Sequence, residues 1–183
     1  MKKQKKCLLE TEVADEFNTV VNAREWMKEN GFPTAKIRGQ VLIIEALIKY
    51  GRQICESGSA DEKPTLTLQG NPDSMILSLS KPVDESAEKA LKDLDQLLQF
   101  VNGYQNRSEG IRKVQRRFTE VQTRPGPDHL SLIRVSVEEN AELDFYVNEN
   151  YVLILSVVCP NRPLKHRRKR SPGLAKDTGY YYN

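Results

Sequence analysis

Between residues 13 and 28, Val13, Phe17, Val20, Val21 and Met27 recur close to the 3.6-residue helical period, with Trp26 beside them. The Asn30-Gly31 pair ends that amphipathic helix. A second helix is predicted from Pro33-Thr34, with Thr34 as N-cap, to about Glu56. It carries Ile37, Val41, Ile44, Leu47, Ile48 and Ile54, and its centre, Val41-Leu42-Ile43-Ile44, is apolar all round, the pattern of a buried helix. After a Gly/Ser/Asp loop at 56–64 the period falls to two, in Thr65-Leu66-Thr67-Leu68 and in Met75-Ile76-Leu77-Ser78-Leu79. Gly70-Asn71-Pro72-Asp73 joins these two runs as a hairpin turn. Ala87, Leu91, Leu94, Leu98 and Val101 then share one face of a helix over 86–101, with Asp84, Glu85 and Glu88 near its positive end.

Farther on, Ile111, Val114, Phe118 and Val121 make a narrow apolar stripe on a helix whose other positions hold Arg112, Lys113, Arg116 and Arg117. Arg124-Pro125-Gly126-Pro127 breaks it, and Asp128 is placed to cap a further helix running to Val137. Alternation returns at 141–147 and 151–155, joined by Asn148-Glu149-Asn150, as a second hairpin. The order helix, helix, hairpin, helices, hairpin predicts an α+β fold: a two-layer sandwich in which helices cover one face of a mainly antiparallel sheet. It divides as a basic segment at 1–12, a single domain at 13–159 and a basic tail at 160–183 whose composition predicts disorder.

Charge sharpens that division. Residues 1–6 hold four lysines and residues 160–183 seven Lys/Arg against one acid, so the intervening body carries about −7 although the whole chain is +3. Cys7, Cys55 and Cys159 are odd in number and widely spaced, which argues against a disulfide framework or a zinc site. No apolar run approaches the roughly 20 residues that span a bilayer. A cytoplasmic protein without membrane contact is expected. His129 and His166 are isolated and receive no role.

The stretch "AREWMKENGFPTAKIRGQVLIIEALIKYGRQICE" at 23–56 and the closing "LSLIRVSVEENAELDFYVNENYVLILSVV" resemble the Bergerat-fold (GHKL) ATP-binding domains, most nearly the small anti-sigma serine kinases of bacterial partner switching. The resemblance covers 13–158 in element order and implies a histidine-kinase-ATPase-like sandwich. Carried over position by position, the family's general base falls on Glu45. Its magnesium-binding asparagine falls on Lys49 or, in the other register, on Ala46. Magnesium takes oxygen ligands at about 2.0–2.1 Å, which neither an ammonium nor a methyl group supplies. The adenine-binding aspartate of an Asp-x-Gly-x-Gly turn has only Asp84 in "SLSKPVDES" to match it, without glycines. At the phosphate-binding turn, "PGPDHLSLIR" sets Asp128 where phosphate would lie.

Glu45, Lys49, Asp84 and Asp128 are thus the candidate nucleotide positions, altered so that no cofactor is expected. A pairing of Glu45 with Lys49, one turn apart, would explain both structurally. The resemblance implies a regulatory module that binds a protein regulator, antagonist-like or sigma-factor-like. Arg112, Lys113, Arg116 and Arg117 stand in place of the family's mobile lid as partner-binding cations. Two alternatives stay open: an active divergent serine kinase using Glu45 with magnesium and ATP, and a nucleic-acid-associated protein acting through the basic run from Lys165 to Arg170. A homodimer is compatible with each.

Overall fold

The computed structural model describes residues 7–54, 63–70, 74–120 and 128–160, without the side chains of 117–120. The expected turn at 71–73, the break at 124–127 and the tail beyond Pro160 lie outside the described residues, as does the side chain of Arg117. Five strands, β1 (Cys7–Glu12), β2 (Thr65–Gly70), β3 (Ser74–Pro82), β4 (Glu142–Val147) and β5 (Val152–Pro160), form one sheet in the order β1-β2-β3-β5-β4, every neighbouring pair antiparallel. The helices are α1 (Glu16–Glu29), α2 (Thr34–Ile54), α3 (Glu88–Asn102), α4 (Arg107–Glu120) and α5 (His129–Glu138). The α2 helix crosses β3 and β5, while α1 packs toward β1 and α5 toward β4; α3 and α4 pack on α5. The chain is an α+β two-layer sandwich.

Alternation makes the sheet two-faced. Leu66 and Leu68, Met75, Leu77 and Leu79, and Leu153, Leu155 and Val157 point inward and are fully buried. They meet Ile43, Ile44, Leu47 and Ile48 of α2 in one apolar core. Two glycines permit this approach. A Cβ on Gly51 of α2 would stand 2.2 Å from a methyl of Leu79, and one on Gly70 of β2 would stand 2.2 Å from the Phe32 ring.

Several expectations are corrected. Residues 7–12 belong to the sheet rather than to a leading basic segment, because Cys7 and Leu9 turn toward the core while Glu10 and Glu12 turn outward. The first helix starts at Glu16, not Val13, since Asp15 caps it by accepting the Asn18 N–H at 2.8 Å. Val13 instead donates its N–H to the Pro64 carbonyl. It ends where Gly31 takes a positive φ of 74°. Thr34 is the first helical residue rather than the cap, with the Pro33 carbonyl accepting from Lys36 and Ile37. Nor is the centre of α2 buried all round, for Leu42 is 43% exposed.

The largest departure concerns α1. Its buried residues are Thr19, Ala23 and Met27, with Val20 and Trp26 partly buried against the same core, whereas Phe17 is 74% exposed and Val21 38%. The apolar residues of the helix are therefore divided, with Val20, Ala23, Trp26 and Met27 on the core side and Phe17 and Val21 left outside.

Candidate functional site

Where α1 lies along α2, the outward residues of both helices frame an open groove of about 660 Å³. Phe17, Val20 and Val21 form its α1 wall, and Val41 and Glu45 contribute from α2. Arg52 closes one end through an ion pair with Glu16 at 3.1 Å, and Arg24 stands along the rim. Leaving a large apolar side chain in water forgoes about 1.5–3 kcal/mol of burial free energy. Phe17 is thus a residue whose burial awaits another surface. An apolar centre within a charged rim is the composition of a protein-docking face.

The four nucleotide-motif positions fall into three places. Glu45 is half-buried in this groove and makes no ion pair among the described residues. Lys49 does not pair with Glu45; it reaches across to Asp128 on the neighbouring helix, 3.6 Å from Oδ2. Asp128 is the N-cap of α5 as its sequence position implies, accepting from the Ser131 N–H at 3.0 Å and the Ser131 hydroxyl at 2.6 Å. Its own N–H donates to Oε1 of Gln53 at 2.8 Å. Burial raises the affinity of the Asp128 carboxyl for its proton, but the Ser131 hydrogen bonds and the nearby Lys49 outweigh it and hold the group below the usual carboxylate range. Asp84 caps the 3-10 turn Glu85–Ala87 that leads into α3. It accepts from the Ser86 N–H at 2.9 Å and from the Ser86 hydroxyl, and the latter bond is the main reason its carboxyl stays below the usual range.

Magnesium–nucleotide binding asks for oxygen ligands able to meet a metal and for a helix N-terminus open to phosphate. At the N-terminus of α5 a carboxylate already accepts the Ser131 N–H and hydroxyl, and the asparagine position holds either Lys49, a cation tied to that carboxylate, or the methyl of Ala46. These residues do not fit that group. Among the described residues, no three His, Cys, Asp or Glu side chains assemble a metal site.

Sequence reasoning assigned His129 no role, yet its Nδ1 lies 3.0 Å from the hydroxyl of buried Tyr50, joining α5 to α2. On α4, Lys113 sits 4.9 Å over the Tyr104 ring and 3.7 Å from Glu109, while Arg112 and Arg116 are exposed. Cys159 carries no reactive thiol, because burial pushes its pKa up to about 12.

No protein-family model and no curated protein matches the chain in sequence. Its fold has a solved counterpart. A chain in the crystal structure of the SiaB-SiaC complex from Pseudomonas aeruginosa superposes with a TM-score of 0.55 at 8% identity, over 84% of this chain and 89% of that one. At that identity the likeness is one of fold. No helix among the described residues is long and apolar enough to cross a membrane.

Proposed function

We propose that this chain is a regulatory protein-binding module of the partner-switching kind, which grips a protein regulator on the α1–α2 face and does not turn over ATP. One observation carries the reading: α1 buries Thr19, Ala23 and Met27 but leaves Phe17 and Val21 outside, on the wall of the groove beside α2. A helix that served only to cover the sheet would gain nothing from a phenylalanine on its outer side. The fold likeness to a chain taken from a two-protein complex agrees with this reading. So do the caps and ion pair that occupy the nucleotide-motif positions. The exposed Arg112 and Arg116 of α4 take a secondary role, steering an acidic partner, which changes the association rate more than the affinity.

Quantitative affinity capture from the cell of origin, comparing the full chain with F17D/V21D, tests this. Both side chains are exposed, so thermal stability should shift by no more than about 0.5 kcal/mol. Capture of the specific partner, and its affinity when purified, should fall about tenfold or more, as expected when a central aromatic contact is lost. A partner held equally by both forms would move the interface elsewhere.

A further inference from the structure

No described element covers the sheet face that turns away from the helices, and the charged strand residues on it all have one sign. On the edge strand β1 it presents Glu10 and Glu12, and on the opposite edge β4 it presents Glu142 and Asp144. No Lys or Arg of the five strands points outward on this face, the one lysine in a strand, Lys81, being on the inward side. Lys63, just before β2, pairs with Glu12 at 3.1 Å; among the described residues no cation pairs with Glu10, Glu142 or Asp144. Between the acidic edges runs a cross-strand row in which Val158, Ile76, Gln69 and Leu8 are successive partners, so Leu8 (62% exposed) and Val158 add apolar contact. The next row, Ser156, Ser78 and Thr67, supplies hydroxyls.

A strongly basic segment follows the last strand of this sheet in the sequence. Strand β5 ends at Pro160 at the same end of the sheet where β1 begins, since Cys7 pairs with Gly70, Gly70 with Met75 and Met75 with Cys159. The 23 residues that follow carry seven Lys/Arg and one acid, concentrated in Lys165-His166-Arg167-Arg168-Lys169-Arg170. Glu142 lies across from Val158 on the adjacent strand, about 5 Å away. Glu10 lies three strands from β5, about 14 Å. Glu10 is level with Ser156 and so about 20 Å from Pro160; the ten residues to Arg170 reach about 33 Å when extended, so the basic run can meet both acidic edges. Tethering raises the local concentration of the tail at the face, which lets individually weak ion pairs add to an occupied state.

We infer that the basic tail, residues 161–183, docks in cis on the open acidic face of the sheet, covering the surface that the helices leave bare. The proposal is independent of the α1–α2 groove.

Zero-length carbodiimide cross-linking of the full chain, read by mass spectrometry, tests it. Lys165 or Lys169 should couple to Glu10, Glu142 or Asp144. The yield should fall roughly fivefold or more in R167Q/R168Q/R170Q, which removes three cations but leaves every reactive lysine and carboxylate in place. The same loss is expected in about 0.5 M salt, where screening acts within a few ångström. In an equal mixture of isotope-labelled and unlabelled chains, the linked peptides should be of one isotope only. Mixed pairs would assign the face to the tail of a second copy and overturn the proposal. Links spread equally over acids elsewhere, such as Asp93 and Asp95 of α3, would overturn it too. So would yields unchanged by salt and by the variant, or the absence of tail links.

Discussion

Burial disfavours the charged form of His129 and lowers its pKa, with Asp93 and Asp128 opposing that shift. With the proton on Nε2, the Tyr50 hydroxyl donates to Nδ1 across the 3.0 Å contact; a protonated ring would force the hydroxyl to accept instead. Because the folded state binds the proton less readily than the unfolded one, the unfolded state takes up more protons as pH falls through about 6.5. Stability is therefore full above that value and declines below it. Thermal unfolding measured between pH 7 and 5 should show this loss in the native chain and a flatter profile in His129→Gln. Asp128 acts in a separate, lower window: its depressed pKa stabilises the fold above the unfolded value of 3.8, and that contribution is lost as pH falls through the folded value. A His129→Gln profile as steep as the native one would assign the pH dependence to other groups.

Among the elements, α2 is the one on which the others depend, since it contacts α1, α5 and the sheet. Replacing Gly by Ala inside a helix ordinarily stabilises it by about 1 kcal/mol. Gly51→Ala should do the reverse, because the new methyl would be 2.2 Å from a side-chain carbon of buried Leu79, and overpacking costs about 1–3 kcal/mol. Urea unfolding reads the net sign directly. This scale also separates what was legible in the sequence from what was not. Helices α2 to α5 and both hairpins follow from periodicity, and the Asp128 cap from its position before an apolar run. Strand β1 was hidden because its inward side offers only Cys7, Leu9 and Thr11, a short signal beside a lysine cluster. The orientation of α1 was illegible for a different reason. Periodicity reveals the apolar residues of a helix but not which of them meet the core, and here Thr19, Ala23 and Met27 take the core position while Phe17 and Val21 stay out. Lys49 was placed beside Glu45 by i, i+4 spacing, whereas the packing of α5 on α2 brings Asp128 within reach.

For the whole molecule, the sandwich arrangement leaves two kinds of unpaired surface: an apolar groove on the helical layer and an acidic sheet face behind it. The groove is proposed to hold a protein regulator and the sheet face the chain's own tail, while the nucleotide-motif positions carry structural contacts, which amounts to the claim that the chain works by holding a protein and not by handling ATP. Calorimetric titration of ATP and ADP into the full-length chain, with and without magnesium, tests that claim most directly. A ligand present at about 100 times its Kd would add about 2.7 kcal/mol of stability, enough for a parallel thermal scan to register. The account predicts no heat of binding and no thermal shift with either nucleotide. Magnesium-dependent binding at micromolar Kd, weakened by Glu45→Gln, would contradict it.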